Sequence, residues 1–306
     1  MNVVFITSGF NGIYRYFERS ITQSFAKAGV VCKTWTLKEG VPALKTICQT
    51  FQPDLILTLT GFKLTAPILK YMNQVEAKTA IWLTEDPYYM DRTSLLIAYF
   101  DYVFTIDLAA LDFYKERGHA HVYHLPLGTD TELYCPKEAA DLYYSDLCLV
   151  GVPYTNRAKL IEYLLVNTNY KIRLVGRGWK KYARLWKAFP NLKVTSAWVK
   201  PETAVNYYNG AKIVLNSHRP HDEKYNRNRI GLSGKSVNNR TFDVASCQSF
   251  QLIEYKADMD KHFNREGELV SYSNPEDLLA KIDYFLKNEA RRKQIAAAAR
   301  ARVLTS

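Results

Sequence analysis

Residues 238–247 read Asn-Asn-Arg-Thr-Phe-Asp-Val-Ala-Ser-Cys, and a strand-like run, Phe-Gln-Leu-Ile-Glu, follows at residues 250–254. Two asparagines ahead of an apolar-periodic segment predict a helix start, where their side chains cap the first free backbone N–H groups. A helix N-terminus that carries an arginine, Arg240, favours an anion, because unpaired amides and the helix dipole attract negative charge. The carboxylate of Asp243, one turn further on, instead suits sugar hydroxyls. The stretch therefore predicts a nucleotide site at the start of a helix that leads into a strand.

The same two charged residues have a simpler interpretation. Arg240 and Asp243 are three positions apart, and residues at this spacing are neighbours on a helix surface. They would then pair with each other on a solvated face and bind no ligand. The stretch alone leaves both interpretations open.

Short apolar runs alternate with helical patterns on both sides of this stretch. The predicted strands are residues 3–6, 30–35, 54–59, 80–83, 102–105, 147–150, 172–175, 192–195, 213–216, 250–254 and 270–272. Such alternation indicates parallel sheets covered by helices on both faces. The series restarts halfway, and 306 residues suffice for two domains. We therefore expect an α/β protein with two Rossmann-like domains, residues 1–135 and 136–287, across a cleft. A C-terminal helix, residues 288–306, is expected to pack across the domain junction.

Ligands in parallel sheets bind beyond the carboxyl ends of the strands, so the residues there are candidates for a site. In the first half, Gly9 and Gly12 let the backbone approach a ligand, although a turn with positive φ would need the same glycines. Glu85 and Asp86 follow a strand and precede Pro87, where a carboxylate can accept a proton from a hydroxyl. A simple turn start is the alternative for this pair.

In the second half, Arg157 opens a helix and Arg177 lies in a Gly-Arg-Gly loop after a strand. Residues 218–237 form a long loop rich in Arg, Asn, Gly and Ser, which predicts a lid over an anion or, alternatively, a solvated flexible insertion. Residues 119–124 contain three histidines without a carboxylate partner, and we expect an interdomain turn there and no metal site.

Composition restricts the partners. The formal charge of +11 and the pI near 9.2 predict attraction to nucleotide phosphates, nucleic acid, an acidic polymer or an anionic membrane surface. Nucleic acid is disfavoured because the aromatic residues follow apolar patterns and do not line one basic face. Five scattered cysteines without a CxxC pair argue against disulfides and zinc and for a reducing compartment. With no leader and no apolar run of membrane-spanning length, we expect a cytoplasmic protein that has no transmembrane segment but could contact a membrane peripherally.

Residues 240–247, with the stretches at residues 82–87, 125–130 and 214–216, resemble the CgeB/YkvP-like spore-maturation glycosyltransferases over nearly the whole chain. The resemblance implies a GT-B fold and metal-independent sugar transfer, without a cofactor, from a nucleotide-sugar. A UDP-sugar is favoured as donor, and a saccharide or a component of the envelope or spore surface is expected as acceptor. The residues that it assigns to the donor nucleotide and its diphosphate, together with our own candidates, are Gly9, Gly12, Arg157, Arg177, Trp198, Val199, Asn216, Asn239, Arg240 and Asp243.

Asp86 is our first candidate for the catalytic base and Glu85 the second. Two positions depart from the family pattern. Lys235 stands where many retaining members have a first carboxylate, eight positions before Asp243, and Gln248 replaces a glycine. These departures keep open the alternative of a catalytically inactive, glycosyltransferase-like protein that binds a saccharide or nucleotide. A dehydrogenase is disfavoured because neither glycine loop completes GxGxxG.

Overall fold

The computed structural model describes residues 1–305, which form two compact units. The first unit comprises residues 1–127 and 224–235, and the second comprises residues 128–223 and the chain from residue 236 onward. Each unit is built on one six-stranded sheet in which all strands are parallel. The predicted α/β class with two Rossmann-like sheets is confirmed.

The sheet of the first unit has the strand order β2-β1-β3-β4-β5-β6. Its strands are β1 (Asn2–Ile6), β2 (Val31–Trp35), β3 (Leu55–Leu59), β4 (Lys78–Leu83), β5 (Tyr102–Thr105) and β6 (Val122–His124). Its helices are α1 (Ile13–Lys27), α2 (Gly40–Phe51), α3 (Ala66–Met72), α4 (Met90–Leu96) and α5 (Leu108–Glu116). Aliphatic and aromatic side chains on both faces of the sheet are fully buried against these helices, as the apolar runs predict.

The sheet of the second unit has the order β12-β11-β10-β7-β8-β9. Its strands are β7 (Ser145–Val150), β8 (Ile172–Val175), β9 (Leu192–Thr195), β10 (Ala211–Asn216), β11 (Gln251–Glu254) and β12 (Val270–Tyr272). Its helices are α6 (Thr155–Asn167), α7 (Lys180–Leu185), α8 (Pro201–Gly210), α9 (Arg240–Ser246), α10 (Met259–His262), α11 (Pro275–Lys287) and α12 (Glu289–Thr305). Short 3₁₀ turns occur at Leu37–Glu39, Ile97–Tyr99 and Asp141–Tyr143.

Two local predictions are wrong. The turn expected at residues 119–124 contains β6, a three-residue edge strand that pairs with β5 and in which only Val122 is buried, so that no apolar run marks it. The asparagines before α9 do not cap it with their side chains. Asn239 has helical φ and ψ and donates to the carboxylate of Asp243, while Asn238 donates to Asn216. These amides therefore bind side chains at the carboxyl edge of the sheet.

Residues 224–235 of the long loop are hydrogen-bonded to the rest of the first unit. Arg227 exchanges backbone hydrogen bonds with Tyr88 and Asp91, at 2.8 and 2.9 Å. The backbone N–H and Nε of Arg229 donate to the carboxylate of Asp91. Lys235 donates its N–H to Asp107 at 3.0 Å. These bonds show that the segment is not a solvated insertion; its predicted role as a lid stays a prediction.

The C-terminal helices belong to the second unit. Asn274 caps α11, because its side chain accepts from the N–H of Asp277 at 2.8 Å. The last helix, α12, contacts α9 and α11, with Ile295 and Ala299 buried. The helix that carries Arg240 is thus supported from outside by α12. Within residues 1–305, none of the helices has the length and hydropathy required to cross a bilayer.

Candidate functional site

Arg157 is anchored at the carboxyl edge of the second sheet. It lies in the first turn of α6 and is only 3% exposed. Its Nε and Nη2 donate to the Oγ and the carbonyl oxygen of Ser217, at 3.1 and 2.7 Å, and Nη1 donates to the carbonyl of Val152 at 3.1 Å. Tyr154 stacks against the guanidinium at 4.7 Å. The acceptors in these bonds belong to three different groups, so they fix the orientation of the guanidinium.

Gly151 brings a second guanidinium to the same place. A Cβ atom at Gly151 would lie 2.7 Å from Nη1 of Arg157 and 3.1 Å from Nη2 of Arg240. The Gly151 carbonyl accepts from the indole of Trp179 at 2.7 Å, which fixes the loop after β7. Two arginines therefore converge over a backbone that has no side chain. This is the geometry of an anion site, in which positive charges face a surface that a phosphate can approach closely.

Asn216 positions Arg240. It is fully buried at the end of β10, and its amide nitrogen donates to Thr241 and Gln251 at 3.1 and 3.0 Å. Its oxygen accepts from Asn238 at 2.9 Å and from Nη1 of Arg240 at 3.3 Å. Because both ends of the amide are occupied by protein groups, Asn216 acts through Arg240. In the described part of the chain, Arg240 forms no ion pair with a carboxylate.

Asp243 is buried one turn after Arg240. It is 5% exposed, and its two oxygens accept from the hydroxyl of Thr129 at 2.7 Å and from Asn239 at 3.2 Å. Burial raises the pKa of this carboxyl to about 7, although Thr129, Arg240 and Asn239 favour the charged form. Burial rules out the alternative of a solvated helix face. Each carboxylate oxygen can accept a further hydrogen bond, so the group suits sugar hydroxyls.

A buried histidine lies next to the anchor of Arg157. The N–H of His218 donates to Glu254 at 2.9 Å, and Asn156 donates to the carbonyl of His218 at 3.0 Å. Burial lowers the pKa of His218 to about 4, so the imidazole is neutral at pH 7. Glu254 and Asn156 together hold the backbone of residues 217–218, from which Ser217 reaches Arg157.

The other predicted donor residues of the second unit lie at the ends of neighbouring strands. Arg177 follows β8 and is exposed, and Trp198, 39% exposed, follows β9 together with the half-buried Val199. Gly176 allows close contact here, since its Cβ would lie 2.3 Å from the carbonyl oxygen of Gly151. The structure therefore joins Arg157, Asn216, Asn239, Arg240 and Asp243 in one cluster and places Arg177, Trp198 and Val199 on loops at the same edge of the sheet.

The two predicted bases differ in their surroundings within the first unit. Asp86 is 1% exposed and accepts from the hydroxyls of Thr105 at 2.8 Å and Tyr114 at 3.0 Å. Burial raises the pKa of Asp86 to about 7. Glu85 is half-buried and accepts from the hydroxyl of Tyr14 at 2.6 Å. Both roles stay predictions, and the geometry encloses Asp86 more than Glu85.

The glycine loop of the first unit forms the turn with positive φ that was the simpler interpretation of Gly9 and Gly12. Gly9 and Gly12 both have φ near +70°, which side chains with a Cβ rarely adopt. Lys63 donates to the carbonyl of Gly9 at 2.5 Å, and Glu18 accepts from the N–H and hydroxyl of Ser8. The turn thus requires these glycines, and their approach to donor phosphates stays a prediction. Among residues 1–305, no three His, Cys, Asp or Glu side chains are grouped as metal ligands would be.

Three further residues of the cluster were not identified from the sequence. They are Gly151, Ser217 and Thr129, which carry no charge and follow no motif. Thr129 is 114 positions from the carboxylate that it binds, and Ser217 is 60 positions from its arginine. No local pattern encodes such pairs, because they depend on how the strands are ordered in the sheet.

Comparison with known proteins identifies the family of this chain. Residues 157–306 match a family model described as glycosyl transferase-like. The spore protein CgeB of Bacillus subtilis (strain 168) is 34% identical over 300 residues, which cover 97% of this chain and 92% of CgeB.

Solved structures show the same fold at low identity. Sucrose-phosphate synthase from Thermosynechococcus elongatus superposes with a TM-score of 0.70 at 13% identity, covering 100% of this chain and 94% of the synthase. Anabaena HepE in complex with UDP-glucose gives a TM-score of 0.64 at 13% identity, covering 100% and 95% of the two chains. These likenesses establish the GT-B fold.

Proposed function

The chain belongs to the CgeB family of glycosyltransferases, and on that premise we propose that it transfers a sugar from a nucleotide-diphosphate-sugar to a saccharide acceptor. UDP-sugars are the donors we favour, since HepE, a protein of the same fold, has been solved with UDP-glucose. The acceptor that we propose is a component of the cell envelope or spore surface, which the relationship to a spore protein supports.

The observation that carries this proposal is the convergence of Arg157 and Arg240 over Gly151, with Asp243 buried beside them. Two guanidinium groups suit the diphosphate, and a buried carboxylate suits the ribose hydroxyls. The exposed ring of Trp198 and the backbone of Val199, on the loop after β9, would contact the base. Arg177 would add a further positive charge from the loop after β8.

The two arginines also account for leaving-group stabilisation without a metal. Negative charge develops on the diphosphate as the bond to the sugar breaks, and fixed positive groups in a partly buried site stabilise it electrostatically. Arg157 is held by Ser217 and Val152 before any ligand arrives, so no reorganisation is needed. We therefore propose metal-independent transfer.

Deprotonation of the acceptor is assigned to Glu85. A base must reach the hydroxyl whose proton it removes, and Glu85 is the less buried of the two predicted carboxylates. Asp86 is enclosed by the hydroxyls of Thr105 and Tyr114, which suits a role in holding the Asp86-Pro87 turn.

The test is a thermal-shift screen against UDP, GDP, ADP, CMP and dTDP with their sugar conjugates, in the presence of EDTA. A ligand at a hundred times its Kd adds about 2.7 kcal/mol to the free energy of unfolding. We expect a shift with UDP, lost in Arg240→Ala and kept in Lys261→Ala, a surface control in the same unit. No shift with any nucleotide would refute the donor site. A shift without release of UDP from any UDP-sugar would instead identify a protein that binds a nucleotide but does not turn it over.

A further inference from the structure

One edge of the second unit carries almost all of the chain's net charge. Residues 163–201 contain nine Lys and Arg residues and no Asp or Glu, and these nine charges make up most of the formal +11. The nine are Lys171, Arg173, Arg177, Lys180, Lys181, Arg184, Lys187, Lys193 and Lys200. The segment runs from the end of α6 through β8, α7 and β9 to the start of α8. We refer to it as the basic edge, because β9 is the last strand of the sheet.

The cations of the basic edge face solvent. Eight of the nine are exposed, and the ninth, Arg173, donates to the carbonyl of Leu142 and lies over the ring of Tyr207. Within residues 1–305, no carboxylate lies at ion-pair distance from any of the nine. Surface cations are ordinarily interspersed with carboxylates, as Lys212 is with Asp146 in this unit. Apart from Lys171, whose charge Asp146 partly offsets, the basic edge is therefore a field of positive charge without an ion pair within residues 1–305.

The short helix α7 carries an exposed apolar side chain within the basic edge. Its inner side presents Trp179, Tyr182 and Trp186, whose rings contact one another, and both tryptophans are buried. Its outer side presents only cations and Leu185, which is 68% exposed. An apolar side chain surrounded by lysine and arginine is the pattern of surfaces that lie on anionic bilayers. Binding of single-stranded nucleic acid instead requires several aromatic rings on which successive bases stack; the rings of α7 are packed inside, and the basic edge has one exposed ring, Trp198, at its far end.

We propose that the basic edge binds the anionic lipid surface of a membrane. The phosphate headgroups supply the missing negative charge, and Leu185 enters the interface between headgroups and acyl chains. Arg177 and Lys200 lie at the carboxyl end of this edge, where the loops after β8 and β9 begin the candidate donor site. A second unit bound in this way has its donor site next to the membrane. The proposal rests on charge and exposure and does not require the proposed function.

The experiment is sedimentation of the full chain with vesicles of phosphatidylcholine alone or mixed equally with phosphatidylglycerol. We expect binding only to the mixed vesicles and release as NaCl rises from about 0.05 to 0.3 M, since the Debye length falls accordingly. The variant Lys180→Glu, Lys181→Glu, Arg184→Glu should bind at least about a hundredfold more weakly, because each cation near an anionic surface contributes about 1 kcal/mol. Replacement of the same three residues by Gln should weaken binding in the same direction and serves if the first variant does not fold.

The matched control is Lys33→Glu, Lys38→Glu, Lys45→Glu, which makes the same charge change with exposed lysines in β2, the 3₁₀ turn after it and α2, at the edge of the other sheet. It should bind within about threefold of the unaltered chain. Equal losses in the two triple variants would show that net charge alone is responsible and would overturn the proposal. So would equal binding to both vesicle types, no binding to either, or tighter binding of an oligonucleotide than of the mixed vesicles.

Discussion

Replacement of Gly151 by alanine tests the two-arginine site with a single methyl group. The new Cβ would lie 2.7 Å from Nη1 of Arg157 and 3.1 Å from Nη2 of Arg240. An ordinary contact is at least 3.4 Å, so the first guanidinium must retreat by about 0.7 Å and the second by about 0.3 Å. Arg157 cannot retreat freely, because Ser217 and Val152 accept three of its hydrogen bonds. The methyl group therefore disturbs both charges and also occupies the surface that a phosphate would approach.

The expected loss of UDP affinity follows from those contacts. A hydrogen bond to a charged group contributes about 1.5–3 kcal/mol, and both guanidiniums are displaced without being removed. We expect a loss of about 2–4 kcal/mol, which is roughly a 30- to 700-fold rise in Kd. Uridine has no phosphate, so its affinity should change by less than about threefold. Isothermal titration of both ligands with Gly151→Ala measures the two values.

Backbone strain has to be separated from this effect. Gly151 has φ +151°, so the alanine also strains the fold, at a cost of about 1–3 kcal/mol in the free energy of unfolding. Gly118→Ala is the control, since Gly118 has φ +84° with no atom within 4 Å of its Cβ. It should lower Tm without changing UDP affinity. Equal losses for UDP and uridine in Gly151→Ala, or an unchanged Kd for UDP, would refute the assignment of the diphosphate to these arginines.

Two further predictions concern the carboxylates. The pKa of Asp243 is raised to about 7 in the folded chain, so its contribution to stability is complete below about pH 4 and is lost as the pH rises through 7. Asp243→Asn should therefore be more stable than the unaltered chain at pH 8, by up to about 4 kcal/mol, and equally stable at pH 4, while binding UDP more weakly; denaturant unfolding at both pH values checks this, and a parallel pH profile would contradict it. Glu85→Gln should lower kcat at least about a hundredfold with an unchanged Tm, whereas Asp86→Asn should mainly alter Tm; the reverse pattern in kinetics and thermal unfolding would make Asp86 the base.

The strands were largely predictable because the inner ones are continuous apolar runs buried on both faces, and they set the spacing in which the less buried edge strands β2 and β9 fall. Residues 102–105, 172–175, 192–195 and 270–272 were predicted with the bounds that the structure shows. The missed strand, β6, buries only Val122, whereas β12, which is equally short and also at an edge, buries both Val270 and Tyr272. The docking of residues 224–235 on the first unit was also not predictable. Its bonds pair backbone groups with Tyr88 and Asp91 from a distant part of the chain, and backbone groups carry no sequence signal.

The residues of the site that could be identified from the sequence are those whose side chains would bind the ligand directly. Arg157 and Arg240 were identified because a positive charge at the start of a helix opposes the helix dipole and so indicates an anion site. Asp243 was identified because a carboxylate beside such a site suits sugar hydroxyls. The residues that support them, Ser217, Thr129 and Gly151, were not identified. These are common residue types whose role depends on the side chains that they contact in the folded chain. Asn216 shows the intermediate case, because it was identified as a strand-end amide but its role in holding Arg240 required the structure.

The cluster in the second unit combines two features that are each unfavourable without a ligand. Arg157 and Arg240 place like charges side by side, and burial holds the pKa of Asp243 well above its usual value. Taking charged groups out of water is costly to a fold, so their presence together at one sheet edge is better explained by a ligand than by stability. An anion between the arginines relieves the first cost, and hydroxyls that donate to the carboxylate relieve the second. A nucleoside diphosphate provides both, which is why one ligand accounts for the whole cluster where a phosphate or a saccharide alone would account for half of it.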